Sequence, residues 1–308
     1  MSLETDLLLD RRRLKRRLFY WRAATVLAVL ACIVAVAGRT GVVRHAHVAR
    51  LTVSGIISDD RKLTDAVARL ARDDRVKALL VEIDSPGGSV AGGEALHDAI
   101  ELVAAKKPVV TVMAGTAASA GYMIAVPAAR IFARASTLTG SIGVILETGE
   151  VSGLLSRIGV TAEAITSGPL KDQPSFTRPL TPQGRDVLHG LVMDLYDQFV
   201  GMVAAGRHMA PDKVRELADG RAYTGRQALG LGLVDAIGGE PEARDWLAAE
   251  RGVPTNLPAE DVKTDTLAER ALGEALGGVS QGILKSVLFQ GVKLDGAWAV
   301  WQPSQLGE

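Results

Sequence analysis

The sequence predicts a mixed α/β domain that follows a single transmembrane helix. From residue 49 onward, short runs rich in Val, Ile and Leu alternate with helix-length amphipathic stretches, which is the pattern of an α/β fold with a largely buried sheet. Before this pattern, residues 23–38 carry no charge and follow the basic cluster Arg11–Arg17, as a membrane segment does. The 308 residues, 47% hydrophobic and 23% charged, suffice for a sizeable core.

The N-terminal region is predicted to anchor the chain in membrane lipid. Its uncharged stretch falls short of the roughly 20 residues that span a bilayer, but Leu18–Trp21 extend it and Arg22 can snorkel. The basic flank favours a cytoplasmic N-terminus and an extracytoplasmic body. A cleaved secretory signal ending in the A-x-A pattern at 35–37 is the alternative, and the body is exported in either case.

Four regions are therefore expected along the chain. They are a cytoplasmic basic tail (1–17), a transmembrane signal anchor (18–38), an exported domain (39–252) and a C-terminal tail that contains one or two amphipathic helices (253–308). The one cysteine of the sequence, Cys32, falls within the anchor. The exported part must then fold without a disulfide.

The charge distribution argues against a nucleic-acid-binding surface. The formal net charge is zero, but residues 1–22 hold seven basic and three acidic residues, which leaves 28 basic and 32 acidic residues in the body. A nucleic-acid-binding domain needs a basic stripe with interleaved aromatic side chains, whereas aromatics make up only 4% of this sequence. No nucleic-acid partner is expected.

The first half of the domain predicts three strands joined by two helices. Strands are predicted at Val48–Ile57, Val76–Asp84 and Pro108–Gly115, because these runs are apolar and rich in β-branched residues. Between them, residues 59–74 and about 89–105 show apolar residues at helical spacing.

The second half predicts more helices. A long helix at Arg185–Arg207 carries an apolar stripe that should pack on the core, formed by Leu188, Leu191, Leu195, Phe199 and Met202. A short helix begins at Pro211, and residues 224–235 predict a further helix before a closing turn and strand. Residues 162–167 have a strand-like pattern.

One serine stands where a strand should turn into a helix. The run VMAGTAASAGYM (Val112–Met123) surrounds Ser119 with small side chains, so that a substrate backbone can approach closely. The unpaired amides of the first helical turn would favour negative charge there. The alternative is that Ser119 is only an N-cap.

The segment SPGGSV (Ser85–Val90) offers a second group of backbone amides. Pro86 fixes its own φ, and Gly87 and Gly88 allow conformations that point amides outward. These amides predict half of an oxyanion hole, although a plain strand-to-helix turn explains the same residues. Neither phosphate-binding glycine motif, G-x-x-x-x-G-K-[ST] or G-x-G-x-x-G, occurs here.

A serine nucleophile needs a base, and Lys171 is the candidate. None of the five histidines has a site-like setting, whereas Lys171 lies in the Gly/Pro-bounded loop TSGPLKDQPS (Thr166–Ser175). A lysine that acts as a base must be neutral near pH 7, which burial favours. Ser141 in TLTGSIGV could orient the amine without adding charge, and Asp172 should point away. A solvated loop lysine is the alternative.

Five motifs in a fixed order carry a family resemblance. DSPGGSV, AGTAASAGYMIA, LTGSIGV, SGPLKD and ADGRAYTGRQALGLGLVD together resemble the signal peptide peptidase A family of membrane-anchored Ser/Lys proteases, over about Val48–Gly239. The wider superfamily is that of Clp protease and crotonase, and the resemblance implies its fold of repeated strand and helix units. It also implies a bacterial inner-membrane location and no metal, nucleotide or coenzyme.

The resemblance also assigns roles to single residues. By motif, Ser119 matches the nucleophile, Lys171 the general base and Ser141 a serine that positions the lysine, while Gly87 and the amide of Ala120 match the oxyanion donors. Ala120 stands where many relatives have glycine, but an alanine amide donates equally well.

The implied activity is hydrolysis of released signal peptides and other apolar, membrane-associated peptides by a homo-oligomeric ring. A related Ser/Lys protease that cleaves particular membrane proteins is an alternative. So is a non-catalytic membrane scaffold, although the presence of both Ser119 and Lys171 counts against it. Acyl-CoA chemistry in a crotonase-like pocket is disfavoured, because coenzyme A is not expected outside the cytoplasm.

Overall fold

The structure, a computed structural model, describes residues 17–28, 45–264 and, for the backbone, 298–300. The chain forms two compact units, Met1–Ala46 and His47–Glu308. In the first unit, residues 17–28 form helix α1. Among the described residues, none of the helices is both long enough and apolar enough to cross a membrane. Part of the predicted anchor, including Cys32, lies outside the described residues.

The second unit contains the strands of a single sheet. They are β1 (His47–Ile57), β2 (Val76–Ser89), β3 (Val109–Ala118), β4 (Arg130–Ala133), β5 (Leu138–Gly140), β6 (Ala222–Thr224), β7 (Ala236–Ile237), β8 (Ala259–Asp261) and β9 (Trp298–Val300).

Helices connect most of these strands. They are α2 (Arg61–Leu70), α3 (Val90–Ala104), α4 (Ala120–Met123), α5 (Ser152–Arg157), α6 (Pro182–Arg207), α7 (Pro211–Leu217), α8 (Gly225–Gly230) and α9 (Glu240–Arg251).

Side-chain caps fix where several helices begin. Asp60 accepts a hydrogen bond from the amide of Leu63 at the start of α2, and Ser89 does the same for Gly92 at the start of α3. Each cap satisfies an amide that the first helical turn leaves unpaired.

The sheet brings the ends of its parallel strands to one edge. The main path runs β6-β5-β3-β2-β1-β8, and β1, β2 and β3 are parallel to one another. The first half of β3 pairs with β4 and its second half with β5, both parallel. Ligands of open α/β sheets bind outside the carboxyl ends of parallel strands, so this edge is where a site is expected.

Both faces of the sheet are covered. Leu79, Val81 and Ile83 of β2 belong to a large core cluster that also contains Ile100 of α3. The intervening residue Leu80 packs in a second cluster with Leu247 of α9. Alternate side chains of a strand point to opposite faces, and burial on both faces explains why β2 reads as a continuous apolar run.

The structure confirms a mixed α/β fold. The three predicted strands and the two helices between them are present, and β2 and β3 extend further than predicted, to Ser89 and Ala118. The strand predicted at 162–167 is wrong, because these residues form no regular secondary structure. The amphipathic helices predicted within the C-terminal tail fall largely outside the described residues.

The packing stripe predicted for the long helix is only half correct. Phe199 is fully buried, and Leu195 and Met202 pack against the core. Leu191, about one helical turn before Leu195, is 55% exposed. Only the C-terminal half of α6 therefore covers the domain.

Candidate active site

Ser119 and Ser141 follow the ends of two neighbouring parallel strands. Ala118 at the end of β3 pairs with Gly140 at the end of β5, so that the next residue on each strand is a serine. Neighbouring strands lie about 5 Å apart. The register of the sheet therefore brings these two serines side by side, although 22 residues separate the bonded pair Thr139 and Ala117 along the chain.

Ser119 has an unusual backbone conformation, because the chain turns sharply at this residue. It lies between β3 and α4 with φ 57° and ψ −121°, and a positive φ is rare for residues other than glycine. Its amide donates to Gly140 O at 2.9 Å, and its carbonyl accepts from the amides of Tyr122 and Met123 at 2.9 and 3.0 Å. A strained backbone conformation persists only where the surrounding structure holds the residue in place. Such residues are common at functional sites.

The hydroxyl of Ser119 does not cap the helix. The side chain makes no capping hydrogen bond to α4, and among the described residues the hydroxyl has no hydrogen-bond partner. Ser119 is only 1% exposed in the single chain. Ser119 therefore stands at the N-cap position without capping the helix through its side chain, and its hydroxyl is free to meet another group.

The short helix α4 fixes the residues that follow Ser119. Ala120 begins the helix, so its amide precedes the first possible helical hydrogen bond. Tyr122 is fully buried and donates its hydroxyl to Leu233 O at 2.8 Å. Burial raises the pKa of Tyr122 well above its ordinary value, so that it stays neutral and anchors the helix.

The turn at Ser85–Gly88 packs directly against this helix. A Cβ on Gly121 would lie 2.9 Å from Ser85 O, so the backbones approach as closely as glycine allows. Gly87 has φ 115°, and its amide donates to Ser85 Oγ at 3.1 Å. In this structure the Gly87 amide, predicted as an oxyanion donor, is therefore engaged by the side chain of Ser85.

The position of Ser141 depends on β6. The antiparallel pair β5–β6 aligns Gly140 with Ala222, and the amide of Ser141 donates to Arg221 O at 2.9 Å. Ser141 has φ 47° and is 7% exposed. The ADGRAYT part of the last motif thus contributes the strand that holds Ser141.

Two threonines that sequence reasoning missed hold β3 in place. Thr137 Oγ1 donates to Ala114 O at 2.6 Å, and Thr139 Oγ1 donates to Ala117 O at 2.7 Å. Both are nearly inaccessible to solvent. Their signal was the alternation of threonines in TLTGS (Thr137–Ser141), which places both hydroxyls on one face of the strand.

Among the described residues, no hydrogen bond joins Lys171 to Ser119 within one chain. Lys171 is exposed in the loop before α6, where its amide donates to Gly168 O at 3.1 Å. Among the described residues its ammonium group has no hydrogen-bond or ion-pair partner. Asp172 pairs with Arg178, and this hydrogen bond lowers the pKa of the Asp172 carboxyl.

Within the described residues, one group of histidine and acidic side chains has the spacing of metal ligands. It consists of His97, Asp98 and Glu101 on α3. Asp98 and Glu101 are exposed, and His97 Nδ1 lies 3.1 Å from Asp98 Oδ1. This grouping lies apart from Ser119 on the chain and shares none of the contacts described above.

Known proteins similar to this chain include proteins named as proteases. The model of peptidase family S49 matches residues 101–254. A protein of Synechocystis sp. whose name describes it as a candidate protease is 42% identical over 223 residues, which cover 72% of this chain and 79% of that protein. A protein of Enterococcus faecium named as a candidate signal peptide peptidase SppA is 38% identical over 235 residues, covering 71% and 67%.

The solved structures similar to the chain include a Clp protease. A variant of ClpP1 from Listeria monocytogenes matches with a TM-score of 0.41 and 17% sequence identity, over 62% of this chain and 91% of that one. The Clp protease and crotonase-like class of the fold stays a prediction. The sequence similarities, by contrast, cover most of the domain that carries Ser119, and the chain therefore belongs to peptidase family S49, the signal peptide peptidase A family of serine peptidases.

Proposed function

We propose that this peptidase is a membrane-anchored endopeptidase that works with a dyad of Ser119 and Lys171. The observation that carries the proposal is the conformation of Ser119, whose strained turn holds a hydroxyl without a partner among the described residues, next to Ser141. A serine that only ends a strand needs neither the positive φ nor the free hydroxyl.

The proposed mechanism is acyl transfer through a serine ester. The neutral amine of Lys171 takes the proton of Ser119 while Oγ bonds to the peptide carbonyl carbon, and the carbonyl electrons move onto oxygen. The backbone amide of Ala120, and that of Gly87 once the oxyanion replaces Ser85 Oγ as its acceptor, stabilise this oxyanion. The lysine ammonium then protonates the leaving amine. Water, deprotonated by the same lysine, releases the acyl group.

We propose that Lys171 reaches Ser119 in an oligomer. Large exposed hydrophobic residues are concentrated in the segment that includes this lysine: Ile145, Val151, Leu154, Ile158, Val160, Ile165, Phe176, Val187, Leu191 and Met193. An adjacent cavity of about 400 Å³ is lined by Leu146, Pro174 and Leu195 among others. Clustered exposed apolar side chains mark interaction surfaces. A second copy of the chain that covers this segment would remove water from Lys171 and favour its neutral amine.

The proposed substrates are extended apolar peptides, such as released signal peptides. Strand β9 of the chain itself pairs antiparallel with Gly87–Ser89, which supports an edge that accepts one more extended strand. The small residues around Ser119 leave room for the backbone of such a peptide. The anchor at 18–38 and an extracytoplasmic domain are part of the proposal, because such peptides are associated with the membrane.

Peptide cleavage by single variants tests the dyad. With detergent-purified protein and a fluorogenic apolar peptide, Ser119→Ala and Lys171→Ala should each lower kcat by at least about 1,000-fold, because residues that act as a unit cannot replace one another. Lys106→Ala, which removes another exposed lysine, should keep the activity. Cleavage that survives either dyad substitution would exclude the mechanism.

Mixing the two inactive variants tests the shared site. If serine and lysine come from different copies, co-expressed Ser119→Ala and Lys171→Ala chains should regain part of the activity, because some interfaces then contain both intact residues. If one chain supplies both residues, each chain in the mixture lacks one of them and the mixture stays inactive. A fully active monomer would also exclude the shared site.

A further inference from the structure

Strand β2 loses its regular pairing just before the Ser85–Gly88 turn. Relative to β3, the register shifts between Ile83 and Ser85. Relative to β1, it shifts in the step from Ser54 to Ile56. Ladder hydrogen bonds are interrupted where the register of a strand shifts. The side chains of Asp84 and Ser85 make hydrogen bonds to both neighbouring strands at this position.

Ser85 connects the turn to β1. Its hydroxyl donates to Gly55 O at 2.6 Å and accepts from the amide of Gly87 at 3.1 Å. Ser85 is completely inaccessible to solvent, so water cannot replace either bond. One hydroxyl therefore fixes the orientation of the Pro86–Gly87 peptide and the distance of the turn from β1.

Asp84 connects the turn to the strand that carries the nucleophile. Its Oδ1 accepts from the amide of Thr116 at 3.0 Å, three residues before Ser119. A Cβ on Gly115 would lie 3.2 Å from the same oxygen, so the carboxylate rests closely on the backbone of β3. Asp84 is exposed, and its hydrogen bond joins the residue before the turn to the strand that leads to Ser119.

We propose that Asp84 and Ser85 are positioning residues of the peptidase, which set the Ser85–Gly88 turn at the distance from Ser119 that oxyanion stabilisation needs. Neither side chain touches the substrate. They act through the backbone, Ser85 on the β1 side and Asp84 on the β3 side. This inference rests on the proposed function, because it takes the Gly87 amide, which Ser85 Oγ orients in the substrate-free chain, as an oxyanion donor.

Ser85→Ala should lower kcat by about 10- to 100-fold and leave KM within about twofold. Removal of a complete oxyanion donor costs about 100- to 1,000-fold, and here the donor is displaced but not deleted. Ser85→Cys, which keeps the size of the side chain but hydrogen-bonds weakly, should show the same loss. It replaces the alanine variant in every measurement below if that variant does not fold.

Asp84 offers a conservative rescue. Asp84→Asn keeps a side-chain oxygen that can accept from the amide of Thr116, and should therefore keep kcat within about threefold of the wild type. Asp84→Ala loses the acceptor and should lower kcat about tenfold. Equal kcat values for the two variants would overturn the role of Asp84.

A peptide aldehyde distinguishes positioning from loss of stability. The aldehyde adds reversibly to a serine hydroxyl and forms a tetrahedral adduct, so its inhibition constant depends on the oxyanion donors. Across wild type, Ser85→Ala and Asp84→Ala, that constant should rise in proportion to the fall in kcat/KM. Val67→Ala, which removes buried side-chain atoms from α2, should lower the melting temperature without changing either constant.

The outcomes separate the two proposals. If Ser119→Ala keeps cleaving the peptide, the proposed function fails. If Ser119→Ala is inactive but Ser85→Ala is as active as the wild type, only the positioning inference is overturned. The inference is equally overturned if Ser85→Ala and Val67→Ala have the same melting temperature and lose the same activity, and if the inhibition constant of the aldehyde is unchanged in both.

Discussion

Position 88 requires glycine because another backbone occupies the place of a side chain. A Cβ on Gly88 would lie 1.8 Å from Ile57 O, which no rotamer can relieve. Gly88→Ala should therefore push β1 and β2 apart and lower the free energy of unfolding by about 1–3 kcal/mol. Urea denaturation measures this change, and peptide cleavage should fall with it because the turn beside Ser119 moves.

Gly190→Ala is the matched control for this substitution. Gly190 lies inside α6, and no atom comes within 4 Å of its added Cβ. Alanine there should stabilise the protein by about 0.5–1 kcal/mol, because glycine loses more chain entropy in a helix. If Gly88→Ala were as stable as the wild type, the close approach of β1 to the turn would not be the reason for glycine at position 88.

The sharp turns at Ser119 and Ser141 were predictable, whereas the contact between the two strand ends was not. Ser119 and Ser141 each follow a glycine- or alanine-rich strand end, which marks a sharp turn. The pairing of Ala118 with Gly140, which makes them neighbours, depends on sheet register. Register is a tertiary property, so no local pattern around either serine reveals it.

Among the elements, β9 occupies an edge that a substrate would need. Residues 298–300 pair with Gly87–Ser89, beside the turn that packs on α4. Ending the chain after residue 297 should expose this edge and raise kcat/KM for a peptide substrate about two- to tenfold, mainly through KM, because the peptide no longer competes with an internal strand.

A shorter truncation provides the control for this experiment. Ending the chain after residue 300 keeps β9 and should leave kcat/KM unchanged. If both truncated proteins behave like the wild type in peptide cleavage, β9 does not compete with substrate. If both are activated equally, the effect belongs to residues beyond the strand.

Regular elements were predicted where one periodicity dominates. Strands β2 and β3 are buried on both faces along most of their length and helix α3 lies on them, so apolar runs and helical spacing coincide with the structure. The stripe of α6 failed at Leu191, which is 55% exposed. An apolar stripe shows that a helix face will be covered, but it cannot show whether the same chain covers it.

At the scale of the whole molecule, the two residues of the proposed dyad differ in exposure. Lys171 follows residues without regular structure and is exposed, whereas Ser119 is 1% exposed. Motif order suggested both residues, but motif order contains no information about which copy supplies each one. Motif order therefore predicts the two residues of the dyad but not how they meet, and both roles stay predictions.

The stability of the whole fold should depend on pH through pairs of aspartate and arginine. Hydrogen bonds from neighbouring arginines lower the pKa of three carboxyls: Asp73, Asp172 and Asp219. A carboxyl whose pKa is lowered by folding stabilises the folded state above its unfolded pKa. That stabilisation is lost as the pH falls through the folded pKa. The free energy of unfolding should therefore decrease below about pH 4.

The Asp73–Arg75 pair tests this dependence. Arg75 Nε donates to Asp73 Oδ1 at 2.7 Å, and the arginine side chain is 33% exposed, so Arg75→Gln should cost about 0.5–1 kcal/mol at pH 7. The difference from the wild type should stay constant down to about pH 4 and shrink at lower pH, as Asp73 becomes protonated in both proteins. Arg61 has a side chain that is 93% exposed. In urea denaturation, Arg61→Gln should leave the free energy of unfolding almost unchanged at pH 7 and at pH 2. A difference between Arg75→Gln and wild type that is undiminished at pH 2 would show that Arg75 stabilises the fold by packing and not through the charge of Asp73.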